Sequence, residues 1–333
     1  MTRILQLARG VDRRVAVVEE PRLLLLSKYS TLYGLAHAAI AGGTPLESLI
    51  RERLSSESLE YDPIYNGESD WRLLPPIDHP DEAARCLVSG TGLTHLGSAK
   101  DRNAMHEAPE SELTDSMKMF RWGEEGGRPV AGAIGVAPEW FYKGNGTILR
   151  PHGESLVVPS HSEDGGEEGE IAGVYLIGPD GGVHRLGMCN GNEFSDHVFE
   201  RKNYLNLAGS KLRTCSLGPE LVVGPAFESV PGRIAITRAE TLLWSKQVRT
   251  GEAEMCHSLA NIEHHHFKFE PHRRPGDVHV HYFGASILSY GEGIRLQSGD
   301  LMEVGFDGFG RALRNSVQVP ERLQTALTVR SLG

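Results

Sequence analysis

The stretch EEGEIAGVYLIG, from Glu167 to Gly178, places acidic residues directly before an apolar run that has the length and composition of a buried strand. Because side chains alternate between the two faces of a strand, Glu168 and Glu170 are expected to project from the same face. Two carboxylates that lie close together raise each other's pKa and destabilise the fold. A bound cation removes that repulsion. Taken alone, a Glu-x-Glu pair is more typical of a solvated strand edge.

The residues after this strand predict a hairpin that brings a third carboxylate back to the pair. The apolar run and the following stretch VHRLGMC are typical of two strands, and PDGG (179–182) has the composition of the turn between them. Glu193 comes a few residues after the second strand, so we expect it near Glu168 and Glu170. Three converging carboxylates form a hard-oxygen site suited to Mg²⁺, with Mn²⁺ or Ca²⁺ as alternatives, rather than to zinc.

Composition and charge exclude several classes of function. The chain has 333 residues, a formal net charge of −10 and a sequence pI near 5.8, which argues against nucleic-acid binding and against anionic membranes. No apolar run approaches the roughly 20 residues of a membrane span. The start, MTRILQLARGVDRR, lacks the apolar core of a signal peptide, so we expect a cytoplasmic protein. The four cysteines show no C-x-x-C spacing and are expected to be free thiols: Cys86, Cys189, Cys215 and Cys256.

The pattern of short apolar runs separated by Gly, Pro and Asp favours a β-rich, mixed α+β fold. Strands and helices do not alternate regularly, which disfavours a doubly wound sheet. Residues 1–75 predict a small α+β unit with two strands and two helices. LLPPIDHP (73–80) is typical of an extended connector, because prolines exclude the preceding residues from helix. We therefore expect a small N-terminal domain over 1–75 and a catalytic domain over 76–333.

The predicted metal site and the motifs around it resemble a known family. Glu168-Gly169-Glu170 and the later segment Asn192–Ser195 are similar to the two metal-binding segments of the fumarylacetoacetate hydrolase superfamily. The sequence departs from that family at Glu193, where the family has Asp. Further motifs occur in the family's order, over roughly residues 73–317: PEWFYKGNG (138–146), SKLRTCSLGPELVVG (210–224) and LQSGDLMEVGFDGFGRALRNSV (296–317).

The resemblance implies a rolled β-sheet catalytic domain, a Mg²⁺ site and, as is usual in the superfamily, a homodimer. It implies Glu168, Glu170 and Glu193 as metal ligands, and it adds Lys143, Lys211 and Thr214 to the active site. A lysine beside a cation in an apolar setting can act as a general base, and Lys143 follows three aromatic residues. Lys143 is therefore the first candidate for the base. Without the resemblance, a surface lysine with a solvated ammonium group would be the simpler interpretation.

The stretch SGTGLTHLGSAKD (89–101) distinguishes the branches of the superfamily. Its hydrolases carry Gly-x-Asn-Tyr-x-x-His-x-x-Glu here, and that His and Glu activate the attacking water. Alignment on Gly92 puts Ser98 at the position of the histidine, so the pair is missing, as it is in the dehydratases that act on 2-keto-3-deoxy sugar acids. Thr94 and His95 become candidate substrate contacts, and Ser98 a candidate catalytic residue. His106-Glu107 replaces the missing pair only in a shifted register.

The remaining histidines give weaker predictions. His279 and His281, in DVHVHYFG, share one face of a predicted strand, and His281 is a further candidate for substrate binding. Three consecutive residues cannot point in one direction on a helix or a strand, so the run at 264–266 is not predicted to form a metal site.

The leading hypothesis is a Mg²⁺-dependent lyase that dehydrates a 2-keto-3-deoxy pentonate. A divalent cation can chelate the carboxylate and keto oxygens of a 2-keto acid and lower the pKa of its C3 protons. The alternatives are a hydrolase of C–C bonds in acylpyruvates or 2,4-diketo acids, an isomerase or decarboxylase, and a catalytically altered protein that binds 2-keto acids.

Overall fold

The structure is a computed structural model that describes residues 1–105, 114–321 and 326–332, with side chains described up to residue 100 in the first range. Over these residues the chain forms eighteen strands: β1 (Thr2–Arg9), β2 (Asp12–Glu19), β3 (Arg22–Leu26), β4 (Leu54–Glu60), β5 (Arg72–Leu73), β6 (Cys86–Gly92), β7 (Glu139–Asn145), β8 (Leu149–Arg150), β9 (Leu156–Val157), β10 (Gly169–Ile177), β11 (Val183–Asn192), β12 (Cys215–Leu217), β13 (Leu221–Val223), β14 (Val230–Arg238), β15 (Thr241–Thr250), β16 (Val278–Tyr282), β17 (Leu301–Phe306) and β18 (Leu313–Gln318).

The helices are short, and most of them lie between strands. They are α1 (Leu32–Ala41), α2 (Leu46–Glu52), α3 (Tyr61–Tyr65), α4 (Leu96–Met105), α5 (Asp115–Gly126), α6 (His197–Lys202), α7 (Leu207–Lys211) and α8 (Leu259–Phe267). Single 3₁₀ turns occur at Ala83–Arg85, Gly146–Ile148, Tyr204–Asn206, Glu270–Arg273 and Ser289–Glu292.

A thirteen-stranded mixed sheet runs through the protein in the order β4-β3-β2-β1-β13-β11-β10-β16-β6-β7, with β5, β8 and β12 beside this path. The N-terminal strands join it because β1 pairs antiparallel with β13, from Thr2 opposite Val223 to Ile4 opposite Leu221. A hydrogen-bonded sheet therefore continues across the predicted connector. The division of the chain near residue 75 into two domains stays a prediction.

The predicted hairpin is formed by β10 and β11 at the centre of this sheet. The strands pair antiparallel from Gly169 opposite Asn192 to Ile177 opposite Val183, and every residue of β10 is buried. Both faces of the hairpin are covered, which explains why β10 is apolar without alternation. A Cβ at Gly169 would lie 2.6 Å from Ile234 of β14, so this glycine allows the second sheet to approach closely.

That second sheet has five strands in the order β15-β14-β17-β18-β9. Ile171 and Met188 of the hairpin pack with its apolar residues, whereas Ala172 and Val174 pack on the other face, with α1 and α2. Glu170 shares the parity of Ala172 and so faces away from the second sheet. The predicted mixed α+β class with extensive sheets is confirmed.

All four cysteines are buried free thiols. Among the described residues, no helix is both long enough and apolar enough to span a membrane.

Candidate functional site

Three carboxylates converge where the β10–β11 hairpin opens. Glu168, Glu170 and Glu193 each present an oxygen, and these oxygens lie within 4.8 Å of one another. The exposed fractions of the three residues are 5%, 2% and 0%. Glu193 N donates to the Glu168 carbonyl (2.9 Å), which continues the ladder of the hairpin by one residue and brings the third carboxylate to the first two. The predicted convergence is therefore present in the structure.

The turn after β11 directs Glu193 into the site. Phe194 is buried and has a left-handed backbone (φ 52), which few non-glycine residues adopt. Ser195 then pairs with Gly166 through both backbone groups (2.9 and 3.0 Å), so the turn is fixed on each side. The hydroxyl of Ser195 donates to the Glu193 carboxylate (3.1 Å).

Lys143 lies on β7 and is completely buried. Its Nζ contacts three acceptors: Glu193 Oε1 (2.6 Å), the Phe194 carbonyl (2.8 Å) and the Lys211 carbonyl (2.9 Å). An ammonium group has three N–H bonds and no lone pair, so these acceptors occupy all of its donors. Lys143 thus holds the turn that carries Glu193 and ties it to the end of α7.

Lys211, also completely buried, lies among the carboxylates. Its Nζ contacts Glu168 Oε1 (2.8 Å), Glu193 Oε2 (2.5 Å) and Ser195 Oγ (2.9 Å). The ring of Phe141 covers this ammonium group, with its centroid 4.7 Å from Nζ. In this arrangement the lysine neutralises part of the carboxylate charge.

The remaining charge is unevenly distributed over the three carboxylates. Burial and the charges of Glu193 and Glu168 raise the pKa of Glu170 well above its usual value. Burial also favours protonation of Glu168, but the charge of Lys211 and the hydrogen bond from His197 outweigh it and hold the pKa of Glu168 well below its usual value. Burial and the charge of Glu168 raise the pKa of Glu193. A divalent cation coordinated by these oxygens would relieve the repulsion, so the donor set fits Mg²⁺, Mn²⁺ or Ca²⁺.

His197 was not singled out by the sequence. It is buried, begins α6 and donates from Nε2 to Glu168 Oε1 (2.9 Å). Burial lowers its pKa, yet the bond to Glu168 and the charge of Glu168 raise that pKa above its usual value overall. A Cβ at Gly166 would lie 2.3 Å from Nδ1 of this ring, so a glycine is needed beside it. His197 orients a predicted metal ligand.

A fourth buried carboxylate, Glu139, was also missed. It lies on β7 with the same parity as Phe141 and Lys143, and it is 5% exposed. Its Oε2 accepts from the Tyr204 hydroxyl (2.8 Å), and a Cβ at Gly92 would lie 1.9 Å from its Oε1. A single glutamate in PEWFYK follows no pattern, and only the structure shows that it is buried on the face of β7 that carries Phe141 and Lys143.

Of the predicted residues in the 89–101 stretch, Thr94, His95 and Ser98 are described, and none of the three hydrogen-bonds to Glu168, Glu170 or Glu193. Thr94 and His95 bond to each other (2.8 Å), and His95 also bonds to Thr250 (3.1 Å). Ser98 Oγ donates to the His95 carbonyl (3.2 Å). Thr214 exchanges hydrogen bonds with the backbone of Val157 on β9. The side chain of Asp101 and the pair His106-Glu107 lie outside the described residues.

His281 faces the opposite side of the sheet from Glu170. It pairs with Gly173, whereas Tyr282 pairs with Ala172, and directly opposed residues point to the same face. Its Nδ1 bonds Ser89 (2.8 Å) and its Nε2 bonds Thr91 (2.7 Å). Its role in substrate binding stays a prediction that this placement does not favour.

The histidine run at 264–266 points in three directions. His264 is exposed, His265 bonds the Gly135 carbonyl (2.9 Å), and His266 bonds Trp140 (3.1 Å) and His279 (2.9 Å).

Comparison with known proteins gives a match in structure but none in sequence. No family model and no curated protein matches the chain. Among solved structures, a 2-keto-3-deoxyarabinonate dehydratase in a hexagonal crystal form superposes with a TM-score of 0.72 at 18% identity, over 96% of this chain and 99% of that one. A fumarylacetoacetate hydrolase from Exiguobacterium antarcticum superposes with a TM-score of 0.60 at 16% identity, over 96% and 100%. The chain has the fumarylacetoacetate hydrolase fold.

Other structures with this fold extend the range of reactions it supports. A 5-carboxymethyl-2-hydroxymuconate delta-isomerase from Mycobacterium smegmatis superposes with a TM-score of 0.57 at 16% identity, over 96% of this chain and 100% of that one. A 2-keto-3-deoxy-D-arabinonate dehydratase complexed with magnesium and 2,5-dioxopentanoate reaches 0.70 at 18% identity, over 96% and 99%. The fold predicted by the resemblance is confirmed, and it is shared by dehydratases, isomerases and hydrolases.

Proposed function

We propose that this chain is a metal-dependent enzyme of the fumarylacetoacetate hydrolase superfamily that dehydrates a 2-keto-3-deoxy sugar acid, with Mg²⁺ as its cation. The buried cluster of Glu168, Glu170 and Glu193 carries the proposal, because its oxygen donors suit a divalent cation and the raised pKa values of Glu170 and Glu193 reflect the repulsion that a cation would relieve. The magnesium-bound dehydratase of the same fold supports the choice of ion and of reaction.

The residues of the site have separate roles in the proposed dehydration. Glu168, Glu170 and Glu193 would hold a divalent cation, which would supply the Lewis acidity that acidifies the C3 protons of a 2-keto acid. Lys211 and Ser195 keep the carboxylates of Glu168 and Glu193 oriented. The ring of Phe141 covers this group and helps exclude water, which strengthens every charge interaction inside.

For the general base, the geometry favours a different residue from the one predicted from the sequence. Lys143 was predicted as the base, but each of its N–H bonds is directed at a protein acceptor, and a positioning role suits it better. Glu139 is a carboxylate on the same face of β7. We favour Glu139 as the group that takes the C3 proton, because Lys211, like Lys143, directs its N–H bonds at protein acceptors.

The hydrogen bonds of Ser98 and of the neighbouring His95 favour dehydration over hydrolysis. C–C hydrolysis needs a base that makes a water nucleophilic beside the substrate ketone. Ser98 donates to a backbone carbonyl, and both nitrogens of His95 are engaged by hydroxyl groups. Loss of a C4 hydroxyl requires no attacking water.

The direct experiment is incubation of the protein with Mg²⁺ and a panel of 2-keto-3-deoxy pentonates, with acylpyruvates in parallel. We expect at least one sugar acid to yield a semialdehyde, detected by mass spectrometry, and little pyruvate from the acylpyruvates. Glu170→Gln is the matched inactive control. Rapid release of pyruvate with the sugar acids untouched would establish a hydrolase instead.

A further inference from the structure

Thr94 and His95 lie in a buried chain of hydrogen bonds that ends on Glu170. We propose that both are positioning residues for the Glu170 carboxylate and act on it through the peptide group between Phe283 and Gly284. The proposal rests on the metal site of the proposed function and assigns that site two supporting residues. It replaces the role in substrate binding expected for them from the sequence.

A single peptide group links Thr94 to the carboxylate. The Phe283 carbonyl accepts from Thr94 Oγ1 (2.8 Å), and the adjoining Gly284 N–H donates to Glu170 Oε2 (2.7 Å). A hydrogen bond on the oxygen of a peptide polarises its N–H and strengthens the bond that this N–H makes. Gly284 has a φ of +99, and a Cβ there would lie 2.1 Å from Thr94 Oγ1, so the hydroxyl packs directly on this peptide.

The direction of each hydrogen bond in the chain follows from the bond to the Phe283 carbonyl, where donor and acceptor are certain. A carbonyl oxygen only accepts, so the single hydroxyl proton of Thr94 points to Phe283. Thr94 Oγ1 must therefore accept from His95, which places a proton on Nδ1. Nε2 of a neutral His95 then accepts from the Thr250 hydroxyl (3.1 Å). Burial lowers the pKa of His95 to about 4, so the ring is neutral near pH 7.

Each hydrogen-bond donor in this chain, from the Thr250 hydroxyl to the Gly284 N–H, is therefore directed towards Glu170. The N–H of Gly284 donates to Glu170 Oε2 and so fixes the orientation of this carboxylate. A metal ligand has to be correctly oriented. The chain from Thr250 through His95 and Thr94 serves this requirement without touching the cation or the substrate.

An isosteric pair of variants separates positioning from simple packing. Thr94→Val keeps the volume and removes the hydroxyl, whereas Thr94→Ser keeps the hydroxyl. The measurement is Mn²⁺ affinity, from the electron paramagnetic resonance signal of free Mn²⁺, with circular dichroism as the check on folding. We expect Thr94→Val to weaken Mn²⁺ binding by about 10- to 100-fold, the usual effect of losing a partner that orients a metal ligand. Thr94→Ser should remain close to wild type.

If Thr94→Val does not fold, a second pair of variants, at His95, still tests the proposal. The amide nitrogen of Asn matches Nδ1 of histidine, and that of Gln matches Nε2. His95→Asn should therefore retain Mn²⁺ affinity better than His95→Gln. Long-range ¹H–¹⁵N spectra of histidine-labelled protein without metal should show His95 as the Nδ1–H tautomer, assigned by its absence in His95→Asn.

Three outcomes would overturn the proposal. Equal Mn²⁺ affinities within either pair, or an Nε2–H tautomer for His95, would remove the chain from the metal site and leave the proposed function intact. A wild-type protein that binds no Mn²⁺ would overturn the proposed metal site, and this inference with it.

Discussion

Glu170 is the carboxylate on which the metal site depends most. Among the described residues, no lysine or arginine nitrogen pairs with it, and its pKa is raised by burial and by two like charges. Glu170→Gln keeps the shape and removes the charge, so we expect it to abolish Mg²⁺ and Mn²⁺ binding, measured by isothermal titration calorimetry. Because the substitution also removes repulsion, thermal unfolding in EDTA should occur at the wild-type temperature or above it. Unchanged affinity would contradict this assignment.

Glu139 is predicted to be the base, and its substitution should act on the chemical step alone. Glu139→Gln should lower kcat by about 10²-fold or more, as expected for loss of a general base. KM and Mn²⁺ affinity should stay near wild type, because Glu139 is not one of the converging ligands. Tyr204→Phe, which removes a hydrogen bond to the same carboxylate, is the matched control and should have a smaller effect. Near-normal turnover of Glu139→Gln would rule Glu139 out as the base.

Lys143 is predicted to stabilise the fold through its ion pair with Glu193. Both side chains are completely buried, and breaking a buried ion pair costs about 3–5 kcal/mol. Because Glu193 still pairs with Lys211 after Lys143→Met, this substitution should lower the free energy of unfolding by up to about this amount, measured with urea. Removing both charges, in Lys143→Met with Glu193→Gln, should destabilise much less than the sum of the single changes. Additive losses would show that the two residues are not coupled.

The residues of the site differ in how far the sequence predicts them. Glu168, Glu170 and Glu193 follow from strand alternation and from the return of a hairpin, which are local rules. The directions of Lys143 and Lys211 depend on β7 and α7, which reach the hairpin only through tertiary packing. Glu139 and His197 follow no local pattern at all.

At the level of elements, the β10–β11 hairpin was the most predictable part of the molecule. Its strands are apolar, adjacent in sequence and joined by a glycine-rich turn, and the structure differs from the prediction only in their ends. The pairing of β16 with β6 was not predictable. It is parallel and joins Val278 to Cys86 across most of the chain, and no local signal specifies a partner that distant.

The close contact of the two sheets at Gly169 gives a test at this scale. A valine there would bring its Cβ to 2.6 Å from Ile234, and overpacking of this kind typically costs about 1–3 kcal/mol. Gly169→Val should lower the free energy of unfolding by that amount and weaken Mn²⁺ binding, since Glu168 and Glu170 flank the substituted position. Adding Ile234→Ala makes room and should restore part of both. Failure of the second change to restore either quantity would place the strain elsewhere.

At the scale of the whole molecule, charged and aromatic residues connect the N-terminal strands to the end of the chain. The buried Glu220 accepts from Tyr61 (2.9 Å) and from the Arg311 backbone (3.1 Å), and it pairs with Arg3 (3.0 Å). These contacts join residues separated by up to 217 positions in the sequence. The sequence of residues 1–75 predicted a small α+β segment, but it gave no indication of how this segment would contact the rest of the chain.

Buried histidines make the stability of the entire fold sensitive to mild acid. Burial lowers the pKa of His95, His152 and His257 to about 4, against a usual value near 6.5. Between these values the unfolded chain binds protons that the folded protein does not, so stability is complete above pH 6.5 and falls as the pH drops towards 4.

His152 offers a single-site measurement of this effect. It stacks on Tyr65 with a centroid distance of 4.1 Å, bonds the Tyr65 carbonyl (3.0 Å) and accepts from the Arg314 backbone (3.2 Å), so it joins both ends of the chain. His152→Gln keeps the donor to Tyr65 and cannot titrate. Urea unfolding measured from pH 7 to pH 4 should show a dependence of stability on pH that is smaller than wild type by about one proton. His264→Gln, at an exposed position, is the matched control and should leave that dependence unchanged. An identical pH dependence in wild type and His152→Gln would mean that His152 accepts its proton while the protein is folded.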